Sequence, residues 1–378
     1  MKLVLHIGHA KTGTTALQNG LYDNRDFLAQ YGVLYPQPPD STTNHGALTG
    51  VVLDPNRWSR KIVNQQQSKR NSLIKAAGAI LRQISDAAES DQFHTVVLSS
   101  EYFFRDLSRE EVDRVRATIT ELFSTVHIIA YVRHPLDHFA SSCLQKVEHA
   151  AKLPQIRRPG FRRVISTYRQ LGVVNVRAYE RSSLEGGDIV RDFVGHHLPD
   201  VPKDRLAKSL RDANESITAE VASVLQTYRM SIFPGSDDVY AASDVPMRTL
   251  LMDTAEKHGL LRPVQLQATA AHRIMELSRR QLDWLRTNYG VTFAPRNLPR
   301  LSSARKGTPT FRRIHHVLRV DRNVERELLV RALYEYGLPQ YAPGIATKLS
   351  SAGAETPKRG RPLRRWFRRG LRRLLRYL

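Results

Sequence analysis

A chain of 378 residues is long enough to bury a substantial core, as one large α/β domain with additions or as two domains. The formal charge of +22 suggests a polyanionic partner. Ten basic residues and no acidic one fall within 358–378, however, so the rest carries only about +12 and no specific nucleic-acid partner is called for. A single cysteine, Cys143, excludes an internal disulfide and fits a reducing compartment. No run approaches eighteen apolar residues and no charged leader precedes an apolar stretch, so the expectation is a cytoplasmic protein without a membrane span or export signal.

Residues 2–7 read as a short buried strand, and Gly8-His-Ala-Lys-Thr-Gly-Thr-Thr15 follows at once, running into a helix from Ala16. A glycine-containing turn between a parallel strand and a helix aims backbone N–H groups and the positive helix end at one point, which suits an anion. Lys11 adds an ammonium, Gly13 lets the backbone approach closely, and Thr12, Thr14 and Thr15 lie beside them with hydroxyls. The usual triphosphate loop places Gly-Lys-Ser/Thr at its end, whereas here Lys11 precedes Gly13.

Residues 31–36 form a second candidate strand, closed by Pro36, Pro38 and Pro39. The polar, aperiodic stretch 40–67, which contains His45, is a candidate acceptor-binding loop. Helical spacing over 71–88 leads to a third strand at 95–100, ending at Glu101. A helix over 109–123 precedes a fourth strand at 126–133, closed by His134-Pro135. Helices over 136–147 and 161–172 then lead to a fifth strand at 173–179. Five strands separated by helices predict a mostly parallel sheet covered on both faces.

Beyond residue 189 the pattern turns helical, clearest at 217–230 and 264–289, with a loop over 234–245. Asn214 and Ser216 read as the cap of the helix starting near 217. The expected organisation is one α/β domain with helical additions over 1–342, a flexible linker over 343–357 and a basic tail over 358–378. In that tail Leu363, Trp366, Phe367, Leu371, Leu374, Leu375 and Leu378 fall at helical spacing between arginines. This is the pattern of an amphipathic helix lying on an anionic membrane surface, where each cation contributes roughly 1 kcal/mol. A basic tail for any polyanion is the competing reading.

The end of the fourth strand offers a second anion grip. Arg133 closes it and Ser141 lies eight residues on, with Pro135 forcing the turn between. A guanidinium fork and a hydroxyl can both serve a phosphate lying across strand ends.

Lys-Thr-Gly-Thr-Thr15 after a strand resembles the 5′-phosphosulfate loop of sulfotransferases that use 3′-phosphoadenosine 5′-phosphosulfate (PAPS). The stretch from Tyr131 through Arg133 to Ser141 resembles their 3′-phosphate segment. The likeness covers residues 1–180 and extends to Ser303-Ala-Arg-Lys-Gly307. It implies a three-layer P-loop-type fold. It further implies that Arg305, Lys306 and Gly307 grip the 3′-phosphate and that Tyr179 lies near the adenine. The implied activity is transfer of a sulfuryl group from PAPS to an acceptor hydroxyl, leaving adenosine 3′,5′-bisphosphate. Carbohydrate, lipid head group and small phenol are all open as acceptor, and the basic tail favours a glycan or glycolipid at the inner membrane face.

Sulfuryl transfer needs in-line geometry and charge stabilisation, and the transferred group carries less charge than a phosphoryl group, so no metal is expected. Lys11 would neutralise charge on the leaving oxygen. The acceptor must lose a proton, and His45 and Glu101 are the two candidate bases. His6, alternating with apolar residues, reads as a core histidine, while His9 lies nearer the turn. Two other functions compete: a nucleotide-dependent kinase of the P-loop class, and a non-enzymatic polyanion- or membrane-binding protein.

Overall fold

The computed structural model describes residues 1–39, 42–58, 67–209, 216–232, 244–301 and 311–335. In chain order its main elements are β1 (Lys2–His6), α1 (Thr14–Asp23), β2 (Val33–Leu34), α2 (Gln67–Ala88), β3 (Thr95–Ser99), α3 (Arg109–Thr118), β4 (Thr125–Val132), α4 (Pro135–Val147), α5 (Phe161–Tyr168), β5 (Val173–Ala178), α6 (Ile189–His197), α7 (Ala219–Ile232), α8 (Asp244–Lys257), α9 (Ala268–Tyr289) and α10 (Arg322–Glu335). They form two compact units. The first comprises the described residues of Met1–His134, Arg158–Asn214 and Ser278–Pro295, and the second those of Pro135–Arg157 and Glu215–Leu277 and from Arg296 onward.

The first unit is built on a five-stranded, all-parallel sheet in the order β2-β3-β1-β4-β5. Val4 of β1 lies opposite Val97 of β3 on one side and His127 of β4 on the other. Central strands covered on both faces must be apolar on both, and every residue of β3 is buried. Because side chains alternate across a strand, Leu3, Leu5, Val96, Leu98, Ile128 and Ala130 share one core with residues of α2, α3 and α5. Val4, Val97, Ile129 and Tyr131 share the opposite core with Leu17 and Leu21 of α1 and Phe193 of α6.

Two local devices fix the helices. Ser108 and Glu111 form a reciprocal capping box at the start of α3. The fully buried Asp192 of α6 accepts hydrogen bonds from the Tyr131 hydroxyl (2.6 Å), from Arg177 Nε and Nη2 (2.8 Å each) and from the Glu185 amide (3.0 Å). Burial pushes its carboxyl up, but these hydrogen bonds outweigh burial and hold it below the ordinary carboxylate range. The network thereby ties α6 to β4 and β5.

The strand order also sets where a ligand can sit. From β1 the chain moves out to β2, returns through β3, then crosses to β4 and β5, so connections leave β1 and β4 in opposite directions. Open parallel sheets bind ligands at such a switch, outside the carboxyl ends of the strands.

The second unit is helical. Leu144 and Val147 of α4, Leu225 and Tyr228 of α7, Leu251 of α8, Ile274 of α9, and Leu328 and Leu329 of α10 meet in one core. Among its described residues the only β pairing is an isolated antiparallel bridge between Leu266 and Leu318. Two sequence expectations are corrected here. The segment expected to loop through residue 245 is already helical at Asp244. The cap of α7 is Thr218, not Ser216, because the Thr218 hydroxyl accepts the Val221 amide (3.3 Å) and its carbonyl accepts the Ala222 amide. Asn214, Arg305, Lys306, Gly307, the linker and the basic tail lie outside the described residues. Among those described, no helix is long and apolar enough to cross a membrane.

Candidate functional site

The turn after β1 is held in a narrow conformation. Gly8 (φ 53°), Lys11 (φ 66°) and Gly13 (φ 67°) all adopt left-handed backbone angles, and Lys11 is the one non-glycine residue among those described that does. A side-chain-bearing residue at such a φ costs about 1–3 kcal/mol, so surrounding contacts must enforce it. The Thr12 hydroxyl donates to the His9 carbonyl, and Arg133 Nη1 donates to the Lys11 carbonyl at 2.9 Å. Arg133, from the end of β4, thus grips the turn after β1 directly, across the switch point.

Gly13 is the N-cap of α1 and brings no side chain to satisfy the amides of the first turn. A Cβ on Gly13 would lie 2.6 Å from the Tyr179 hydroxyl and 2.8 Å from its ring, so the glycine is needed for close approach as well as for its φ. Tyr179 follows β5, donates its amide to the Val132 carbonyl (2.8 Å), and has the Arg133 guanidinium 5.9 Å from its ring centre. Lys11, Gly13, Arg133 and Tyr179 therefore form one cluster from the ends of β1, β4 and β5. Thr12 and Thr14 are buried with hydroxyls 3.4 Å apart, and Thr15 is exposed. Ser141, paired with Arg133 in the sequence reading, is buried on α4 in the second unit.

The two candidate bases have different surroundings. His45 is fully buried, with Nδ1 accepting the Ser99 amide (3.0 Å) and Nε2 donating to the Pro36 carbonyl (2.8 Å). Burial lowers its pKa to about 4, against the opposing pull of these backbone hydrogen bonds, so the ring is neutral with no lone pair open to an acceptor proton. In this arrangement His45 ties the end of β3 to the segment after β2. Glu101 opens a short helical turn just past β3, is partly exposed, and has its Cα 3.4 Å from where a Cβ on Gly8 would lie. Of the two, Glu101 borders the turn.

His6 is the packed core histidine its alternation implied. It is fully buried, with Nδ1 2.8 Å from the Ser99 hydroxyl, which also accepts from Gln18 Nε2 (3.2 Å). Burial, assisted by the charge of His197, lowers its pKa to about 3. This Ser99 junction, which joins β1, α1 and β3 beneath the turn, was not visible in sequence.

The buried histidines predict a pH dependence of stability. For His6 and His45 the folded pKa lies below the unfolded value of about 6.5, so the unfolded chain binds more protons between the two values. Their contribution is complete above about pH 6.5 and is lost progressively as pH falls toward 4. Thermal unfolding followed from pH 7 to 4.5 should show a falling midpoint, and His45→Asn should flatten that slope by about one proton. An unchanged slope in the variant would mean that His45 is not buried in neutral form.

Among the described residues no group of three or more His, Cys, Asp or Glu is placed to hold a metal ion. The chain matches no protein-family model and no curated protein.

Proposed function

We propose that this protein is a P-loop-type sulfotransferase that moves a sulfuryl group from PAPS to an acceptor hydroxyl. The observation that carries this reading is the hydrogen bond from Arg133 to the Lys11 carbonyl, with Tyr179 beside both Arg133 and Gly13. It joins two residues that carry cationic side chains at the switch point of a parallel sheet, an arrangement suited to a nucleotide with phosphate at both its 5′ and 3′ positions.

In this reading the first-turn amides after Gly13 hold the 5′-phosphate and Arg133 meets the 3′-phosphate, with the Tyr179 ring against the nucleoside. The acceptor oxygen forms a bond to sulfur while the bond from sulfur to the 5′-phosphate oxygen breaks. Lys11 neutralises the charge gathering on that leaving oxygen. The acceptor proton passes to the Glu101 carboxylate, and adenosine 3′,5′-bisphosphate leaves with the bond's electron pair. The tail at 358–378 would hold the enzyme at an anionic membrane surface.

Calorimetric titration tests the donor. Adenosine 3′,5′-bisphosphate should bind at least about tenfold more tightly than ADP, since ADP lacks the 3′ charge that Arg133 would meet. Radiolabel should pass from PAPS to an acceptor with chelator present. Equal binding of the two nucleotides, or transfer only from ATP with Mg²⁺, would replace this reading with the kinase.

A further inference from the structure

A second feature lies at the same sheet edge as the turn. In a parallel sheet every strand ends at one edge, and each crossover helix begins there. The loop after β3 and the start of α5 are both at that edge, and between them is a cleft of about 710 Å³. It is lined by Arg158, Arg162 and Arg163 together with Ser166, Thr167 and Gln281. The turn reaches toward it through His9, two residues before Lys11. The His9 ring lies 5.4 Å from that of Phe161, the first residue of α5, and 4.7 Å from that of Phe104.

The charges in the cleft are unbalanced. Its one carboxylate, Asp106, pairs with Arg163 (3.1 Å) and accepts from the Thr167 hydroxyl (3.3 Å). Among the described residues no carboxylate pairs with Arg158 or Arg162. The start of α5 does not supply the attraction, because the Arg162 amide already donates to Gln281 Oε1 at 2.9 Å. What remains is two guanidinium forks beside hydroxyls and an amide. Such forks match the paired oxygens of a carboxylate or sulfate ester. Pro159 and Gly160 complete the lining, and the hydroxyls and amide beside the forks can meet the hydroxyls of a saccharide that carries the anion.

We infer that the cleft around Arg158 and Arg162 binds a negatively charged substituent on a saccharide acceptor, one sugar or more from the hydroxyl that receives the sulfuryl group. This rests on the sulfotransferase reading for the identity of the reaction and on the cleft alone for the charge of the acceptor. The substrate is accordingly an acidic oligosaccharide, and a neutral glycan is a poor one.

The test uses the full chain and direct binding. The probes are a tetrasaccharide of alternating hexuronic acid and N-acetylhexosamine, its carboxyl-reduced form, and the carboxyl-reduced form carrying one sulfate ester per disaccharide. The acidic form should bind wild type at least about tenfold more tightly than the reduced form, and Arg158→Ala/Arg162→Ala should abolish that preference. The sulfated probe shows whether carboxylate or sulfate ester is the preferred anion. Arg262→Ala/Arg326→Ala, which removes two exposed charges from the second unit, should leave the preference intact. In both variants adenosine 3′,5′-bisphosphate should bind within about twofold of wild type, as neither touches the turn. Retention of the preference in Arg158→Ala/Arg162→Ala, or its equal loss in the control, would overturn the cleft assignment and leave the donor reading standing. An arginine-dependent preference in a chain that fails to bind the bisphosphate would do the reverse.

Discussion

Replacing Lys11 by alanine should lower turnover on PAPS by about 10²–10³-fold, the usual cost of removing one preorganised electrostatic donor from a group-transfer site. The affinity for adenosine 3′,5′-bisphosphate should fall much less, because the amides after Gly13 and the Arg133 guanidinium remain. The backbone at Lys11 offers a second handle. Its φ of 66° penalises any Cβ, and Arg133 holds the conformation through the Lys11 carbonyl rather than through the side chain. Lys11→Gly should therefore lose turnover as fully as Lys11→Ala while unfolding at no lower temperature than wild type. Single-turnover transfer and thermal melts of both variants separate the roles. If turnover survives in Lys11→Gly, the ammonium is not the group that meets the leaving oxygen.

The second large effect concerns nucleotide selectivity. Wild type should prefer adenosine 3′,5′-bisphosphate over AMP, and Arg133→Ala should erase most of that preference while weakening bisphosphate binding by about 10²-fold. Two contributions add. The variant loses a charge-assisted contact to the 3′-phosphate, and it also frees the Lys11 carbonyl that fixes the shape of the turn. Arg133→Lys separates them, because an ammonium keeps the charge but cannot hold a carbonyl and a phosphate in one plane. It should retain part of the preference and less of the turn's order. A full preference for the bisphosphate in Arg133→Ala would remove Arg133 from the 3′ site, whatever nucleotide the turn accepts.

The elements themselves were legible in sequence because local patterns dictate them. Short apolar runs bounded by turn residues produced all five strands within a residue or two, though the second shortened to Val33–Leu34. The 3.6-residue period located α2, α3, α4, α5 and α9. Helices α8 and α10 did not stand out, since their apolar residues are spread around the helix in a unit made mostly of helices. The cleft was equally hidden. Arg158, Arg162 and Arg163 are three of 58 basic residues, and nothing local distinguishes them from charges on a solvated face.

The sequence by itself determined that a strand, a glycine-bearing turn and a helix would form in succession, with Lys11 in the turn and Arg133 at another strand's end. Those outcomes depend on steric and hydrophobic preferences acting over a few residues. The tertiary structure alone decided that β4 lies beside β1, and so brought the Arg133 guanidinium to a carbonyl 122 residues away in the chain. It also turned His45 into a buried tie with both ring nitrogens occupied while leaving Glu101 at the turn's edge. A strand that is apolar on both faces carries no local mark of its neighbour, because any similar strand would pair with it. The choice is made by how the whole chain packs helices over both faces at once.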